Sequence, residues 1–231
     1  MTAGYSQFRY LPAGDRALVV EVGNEISPEV HQKVRGLVLS LEQSLLPGIC
    51  ELVPTYRSVM IFYDPDIVSF NEFVAHLKQL ETHVHAAELP EPRIVELPVV
   101  YGGDFGPDIK DVAEHHHLSE AEVVALHSGR DYLVYMLGFT PGFCYLGGMN
   151  KKLDTPRLET PRSRIPAGSV GIAGLQTGIY PIDSPGGWRI IGRTPQRIFD
   201  PQREPPVLIR VGDYVHFTPI VLREYTWRCT L

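Results

Sequence analysis

Apolar and polar positions along residues 1–89 are patterned in a way that predicts three strands and two helices. The three strand-like runs, each rich in apolar side chains, are residues 16–22, 49–53 and 59–63. Two other stretches carry apolar side chains at helical spacing, and they begin at Ser27 and Ser69. The order β-α-β-β-α is typical of a split β-α-β sandwich, in which one sheet is covered by two helices.

Residues 90–231 follow a different pattern, in which short apolar runs alternate with turns rich in glycine and proline. One strand and two short helices come first, at residues 94–101, 108–116 and 120–128. The second helix opens with Ser119 and Glu122, the spacing of a capping box. Five further β runs follow, at residues 132–137, 165–173, 188–191, 207–211 and 214–218. We therefore predict an α+β protein, with an N-terminal α/β domain (1–89) and a β-barrel domain (90–231).

Composition and charge exclude several classes of function. The 231-residue chain has a net charge of −6 and 44% hydrophobic residues, which is typical of a globular protein and argues against nucleic-acid binding. Its three cysteines are far apart in sequence, so they form neither a disulfide framework nor a C-x-x-C metal knuckle. We recognise no signal peptide and no apolar run of membrane-spanning length, so we expect a cytoplasmic protein without a membrane partner.

Residues 138–206 differ from the rest of the chain in composition. They hold 11 glycines and 10 prolines, and nine Lys/Arg against five Asp/Glu. Aromatic side chains are interspersed among them, which favours ordered loops on a β scaffold over disorder. An arginine-rich region of this kind suits a carboxylate, a phosphate or an acidic partner surface. A solvated loop face explains the charge equally well.

Standard catalytic and metal-binding signatures are absent from the sequence. The glycine-rich residues 168–174 match neither a dinucleotide-binding nor a phosphate-loop motif, and no serine lies in a G-x-S-x-G elbow. The consecutive histidines 115–117 point in different directions on a helix, so we predict no metal site there. Cys144 lies between two aromatic residues and is interpreted as a small buried apolar side chain. His127, just before the barrel strands, is the best acid/base candidate.

Five motifs rich in glycine, proline and aromatic residues carry the clearest signal, at residues 136–149, 155–174, 176–181, 183–188 and 191–195. In this order they resemble the family that contains the B subunit of 5-oxoprolinase, the sporulation-kinase inhibitor of bacilli and allophanate hydrolase subunit 1. The resemblance extends to residues 101–107 and covers most of the chain. It implies a cyclophilin-like barrel after the small N-terminal domain.

The same resemblance implies a function that depends on other subunits. Members of this family pair with a second cyclophilin-like protein, the C subunit, and with the A subunit, in an ATP-dependent enzyme that opens 5-oxoproline to glutamate. We expect ATP to act at the level of this complex. Two alternatives remain open: a regulatory protein that binds a sensor histidine kinase, and a subunit of a urea/allophanate carboxyltransferase. Fold alone does not choose among them.

Candidate site residues follow from the chemistry of lactam opening, which requires donors for a carboxylate and for a migrating phosphoryl group. We predict Arg162 and Arg193 as catalytic cations, each with a structural ion pair as the alternative. We predict His127 as a proton relay at the rim of a partly open groove, with a structural histidine at the helix C-terminus as the alternative. Glycines that admit backbone N–H groups, hydrogen-bonding side chains and aromatic walls complete the predicted substrate site: Phe139, Phe143, Tyr145, Arg164, Gly168, Ser169, Gln176, Tyr180, Ser184, Gly186, Gly187 and Trp188.

Overall fold

The computed structural model describes residues 4–44, 46–84 and 89–228. The chain divides into two units, Met1–Glu91 and Pro92–Leu231. The elements of the first unit are β1 (Gly4–Pro12), β2 (Ala17–Gly23), α1 (Pro28–Ser44), β3 (Ile49–Pro54), β4 (Ser58–Tyr63) and α2 (Phe70–Val84). None of the helices in the described ranges is both long enough and apolar enough to cross a bilayer.

The first unit is a four-stranded sheet in the order β1-β2-β4-β3 with two helices. Strand β4 lies between β2 and β3 and is antiparallel to both, so β2 and β3 are parallel and are connected through α1. This is the predicted split β-α-β arrangement. The buried positions of α1 recur at helical spacing, as Val30, Val34, Leu37 and Leu41. The sequence analysis did not predict β1, which pairs with β2 and buries Phe8.

The second unit contains nine strands and three helices among the described residues. In chain order these are β5 (Ile94–Tyr101), α3 (Ile109–His115), α4 (Glu120–Ser128), β6 (Asp131–Leu137), β7 (Cys144–Gly147), β8 (Arg162–Ile165), β9 (Ser169–Ala173), β10 (Gln176–Ile179), β11 (Ser184–Gly186), β12 (Arg189–Arg193), β13 (Tyr214–Pro219) and α5 (Leu222–Arg228). Seven strands close a barrel in the order β10-β7-β6-β13-β5-β12-β9, and β9 pairs with β10. The predicted closed barrel is therefore confirmed.

Strands β8 and β11 lie outside the barrel and form a separate two-stranded sheet. The predicted strand 165–173 is thus divided between β8 and β9, and the turn between them contains Gly168. The predicted strand 207–211 is wrong, since Val207 makes only an isolated bridge to Phe199. The capping box of α4 is confirmed: Ser119 Oγ accepts a hydrogen bond from the Glu122 N–H, and the Glu122 carboxylate accepts one from the Ser119 N–H.

Candidate functional site

A small cavity in the second unit, which we call the aromatic pocket, brings together seven of the predicted substrate-site residues. Its volume is about 90 Å³. It is lined by Phe139, Phe143, Tyr145, Arg157, Tyr180, Gly186, Gly187 and Trp188. Arg157 is the member that the sequence analysis missed, although it lies within the 155–174 motif.

Phe143 is the centre of the aromatic pocket. Its ring centroid lies 4.8 Å from that of Tyr145, 5.0 Å from Tyr180 and 5.4 Å from Trp188. All three pairs are edge-to-face, with interplanar angles of 61°, 83° and 87°, which is a favoured geometry because the positive edge of one ring faces the negative face of another. Phe139 packs on the same ring at 5.6 Å and is 61% exposed, so it forms the rim. The buried rings hold the walls of the pocket in place.

The β8–β11 sheet closes one side of the aromatic pocket. A Cβ atom on Gly186 would lie 2.4 Å from Tyr180 Oη, so the close approach of this strand to the tyrosine requires glycine. Burial raises the pKa of Tyr180 to about 12, and its hydroxyl is therefore protonated at neutral pH. The phenol oxygen accepts a hydrogen bond from the Trp188 backbone N–H, and a neutral phenol keeps its own proton to donate.

A second and larger cavity has a volume of about 570 Å³. We call it the polar cavity after its charged side chains, although apolar atoms form the larger part of its surface. It is lined by Ala167, Gly168, Pro181, Ile182, Asp183, Arg193, Thr194, Pro195, Gln196, Arg197, Phe199, Pro201 and Tyr225. Arg193 Nε donates to the Ala167 carbonyl at 2.7 Å, which fixes the base of the guanidinium. Gly168 has a φ of +82°, and a Cβ there would lie 2.4 Å from the Thr194 carbonyl, so the turn beside Arg193 depends on glycine.

The predicted catalytic Arg162 is engaged in a bidentate ion pair with Asp108. Its Nη1 and Nη2 atoms donate to the two carboxylate oxygens at 2.8 and 2.6 Å. Asp108, which precedes α3, is buried and also accepts the Ile190 N–H at 2.6 Å. The pair therefore connects β8, β12 and the start of α3. We call it the Asp108–Arg162 pair.

Other arginines of this region divide into paired and unpaired cations. Arg164 donates to Asp183 at 2.9 and 2.6 Å. For Arg157 and Arg193, by contrast, no carboxylate among the described residues lies within 4 Å of the guanidinium. The first lines the aromatic pocket and the second lines the polar cavity. The aromatic pocket therefore has one positive charge that the described part of the chain does not neutralise. In the polar cavity, Asp183, whose pKa is lowered first by the Ala167 N–H and by Arg164, also interacts with the charge of Arg193.

His127 lies in the barrel core rather than at a groove rim, and it is 0% exposed. Its Nδ1 is 2.8 Å from Tyr101 Oη, and its Nε2 is 2.9 Å from Thr177 Oγ1. Because Thr177 donates its hydroxyl proton to the Gly171 carbonyl at 3.1 Å, it accepts from Nε2–H, and Nδ1 then accepts from the tyrosine. Burial lowers the pKa of His127 to about 3, so the ring is neutral.

The remaining predicted site residues are not brought into either cavity. Ser169 Oγ donates to the Pro166 carbonyl at 2.7 Å. Gln176 opens β10 and is half-buried. The Ser184 hydroxyl is buried without a hydrogen-bond partner in the described part of the chain. Across the described ranges, no group of three or more His, Cys, Asp or Glu side chains is arranged to hold a metal ion.

The barrel, its external sheet and these cavities lie in a chain whose sequence matches a known protein family. The chain belongs to the carboxyltransferase domain family, subdomains C and D, whose model matches residues 8–209. Within this family it is 44% identical to the B subunit of 5-oxoprolinase from Bacillus subtilis, over 92% of each chain. It is 42% identical to the B subunit of 5-oxoprolinase from Escherichia coli O157:H7, over 89% of this chain and 93% of that one.

A solved structure is also similar. The chain is 47% identical to a conserved uncharacterized protein from Pyrococcus horikoshii, with a TM-score of 0.57. The match covers 94% of this chain and 100% of the other. The family resemblance found in the motifs is therefore confirmed over both units of the chain.

Proposed function

We propose that this chain is the B subunit of an ATP-dependent 5-oxoprolinase, which acts with partner subunits to convert 5-oxo-L-proline to L-glutamate with hydrolysis of ATP. The observation that carries this proposal is a pair of unlike cavities, one small and aromatic and one larger with both apolar and charged side chains, each with an arginine that makes no ion pair within 4 Å among the described residues. The high identity to bacterial subunits of that name supports it.

The reaction has two chemical requirements that these cavities suit. Resonance makes the lactam a poor electrophile, and transfer of the γ-phosphoryl group of ATP to the amide oxygen, with release of ADP, gives an imidate-like carbon that water attacks. Inorganic phosphate then leaves and the ring C–N bond breaks, which gives glutamate. Such a transfer depends on positioning and on stabilisation of negative charge rather than on a protein nucleophile. The polar cavity is large enough for a phosphorylated group. Among the described residues Arg193 makes no ion pair within 4 Å, and Asp183, which lines the same cavity, is paired with Arg164.

Partner subunits complete the site in this proposal. The described residues around the two cavities offer cations, phenols and backbone groups but no imidazole, because His127 lines neither cavity. We propose that the C subunit, with its related barrel, and the A subunit supply the remaining groups. Co-expression with both should give a stable complex in which glutamate and ADP form together. A complete complex without 5-oxoproline-dependent ATP hydrolysis would reject the proposal.

Replacing Arg193 by glutamine in that complex should lower kcat roughly 10- to 100-fold. A charge-assisted hydrogen bond is worth about 1.5–3 kcal/mol, and this one would form with the migrating phosphoryl group. Assembly should survive, because glutamine retains a polar side chain at the cavity wall. The measurement is the rate of glutamate release at saturating ATP and 5-oxoproline.

The matched control for this variant is Arg210→Gln, which removes the same charge from an exposed position that lines neither cavity. Its turnover should equal that of the wild type. Equal turnover in Arg193→Gln would place Arg193 outside the reaction. The chain could instead support no turnover of 5-oxoproline and inhibit a sensor histidine kinase tightly and stoichiometrically. That result would favour the regulatory alternative.

A further inference from the structure

Arg157 is placed to bind a ligand in the aromatic pocket. Its side chain is exposed, and its Cζ lies 5.9 Å from the centroid of the Trp188 ring. Within the described ranges, no hydrogen-bond acceptor or carboxylate engages the guanidinium. A guanidinium that lies over an aromatic ring at this distance makes a cation–π contact and keeps N–H groups available for a bidentate anion.

The charge of Arg157 acts on the two phenols that share the pocket. Burial raises the pKa of Tyr145 and of Tyr180, and the positive charge of Arg157 opposes both shifts. The guanidinium is therefore close enough to act electrostatically on both phenols, and all three side chains line the same pocket. A ligand between them would meet one cation and the rings of the two tyrosines.

The volume of the aromatic pocket limits its ligand to a small ring. At roughly 10–15 Å³ for each water-sized group, a cavity of about 90 Å³ accommodates about six to nine such groups. This is too little for a nucleoside triphosphate. The walls are the faces and edges of Phe143, Tyr145 and Trp188, which pack well against a flat apolar ring.

We propose that the aromatic pocket binds the substrate ring, a small planar cyclic amide with one carboxylate, and that Arg157 binds this carboxylate. The assignment rests on the proposed function for the identity of the substrate. Arg162 is unsuited to this role, because both of its terminal nitrogens are bound to Asp108. Arg157 is then the residue that selects an acidic lactam over a neutral one.

Tryptophan fluorescence can test the assignment on the full chain. Of the two tryptophans, Trp188 lines the pocket and Trp227 lies on α5 with 59% exposure. In a Trp227→Phe background the emission reports on the pocket alone. Titration with 5-oxoproline should give a saturable change, and pyrrolidin-2-one, the same ring without the carboxylate, should bind at least 10-fold more weakly.

Charge removal at Arg157 gives the decisive comparison. In the same background, Arg157→Gln should weaken 5-oxoproline binding roughly 10- to 100-fold and leave pyrrolidin-2-one binding unchanged. Arg157→Lys should restore part of the affinity, because it restores the charge without the bidentate geometry. Arg210→Gln is the matched control and should bind as the wild type does. Thermal melting of each variant checks that the fold is intact.

The outcomes separate this inference from the proposed function. In the complete complex, Arg157→Gln should raise KM for 5-oxoproline by the same factor while KM for ATP stays constant. Turnover with an unchanged KM would overturn the role of Arg157 and leave the proposed function standing. The wild-type complex could also show no turnover while the isolated chain still binds acidic lactams through Arg157. That result would reject the proposed function and retain the assignment of the pocket. No saturable emission change with any lactam would overturn the assignment.

Discussion

Lowering the pH from 7 to 4 should remove about 3 kcal/mol from the free energy of unfolding through His127 alone. In the unfolded chain this imidazole binds a proton below about pH 6.5, whereas burial lowers its folded-state pKa to about 3. The contribution to stability is therefore complete above pH 6.5 and is lost as the pH falls towards 3. At about 1.36 kcal/mol per pH unit, the loss is about 2 kcal/mol at pH 5.

Urea unfolding at a series of pH values measures this effect. The His127→Gln variant cannot titrate, so its free energy of unfolding should fall less steeply between pH 6.5 and 4 than that of the wild type. His115→Gln, at an exposed position, is the control and should keep the wild-type slope. Parallel curves for the wild type and His127→Gln would contradict the neutral, buried imidazole. Unchanged turnover per folded complex in His127→Gln would also argue against its predicted role as a proton relay.

Replacing Arg162 by alanine should lower the free energy of unfolding by about 3 kcal/mol. The change leaves the Asp108 carboxylate buried with only the Ile190 N–H as a partner, and removing one member of a buried ion pair commonly costs about 3–5 kcal/mol. We expect the lower end of this range because the Arg162 side chain is 34% exposed and water screens part of its charge.

A double-mutant cycle isolates the Asp108–Arg162 pair. Arg162→Ala and Asp108→Ala should each destabilise the chain, and the double variant should lose clearly less than the sum of the two. Additive losses would mean that the ion pair contributes nothing as a unit. Turnover per folded complex distinguishes the two roles of Arg162. If Arg162 only positions its neighbours, Arg162→Ala lowers the melting temperature and leaves kcat per folded complex unchanged. If Arg162 is the predicted catalytic cation, the variant lowers kcat at constant stability.

Local signals predicted those elements that depend on neighbours in sequence. The Ser119–Glu122 capping box is confirmed because all of its hydrogen bonds lie within four residues. Strand β1 was missed because, among its described side chains, Phe8 is buried and Tyr10 packs against the core, which is too weak a pattern to predict a strand; pairing with β2 completes it. The apolar run 207–211 reads as a strand, yet it makes a single bridge, since strand formation requires a partner that the sequence does not display.

The sequence predicted most of the residues of the candidate site but not which charged side chains are paired with one another. The aromatic motifs predicted seven of the eight residues of the aromatic pocket, because such rings pack with one another in any compact fold. The roles of the arginines were not predictable. Arg157 and Arg162 look equivalent in sequence, but the partner of Arg162 is Asp108, which is 54 positions away. Folding of the second unit places Asp108 beside Arg162, so the structure is needed to show which guanidinium is neutralised.

Residues 180–188 contribute to both cavities: Tyr180 and Trp188 line the aromatic pocket, and Pro181 and Asp183 line the polar cavity. A ligand that moves this shared wall on one side changes the shape of the other side. Such coupling is reciprocal, so a nucleotide that tightens lactam binding by some factor is itself bound more tightly by the same factor when the lactam is present. Any partner protein that immobilises this one segment would therefore adjust both affinities at once, without touching either ligand.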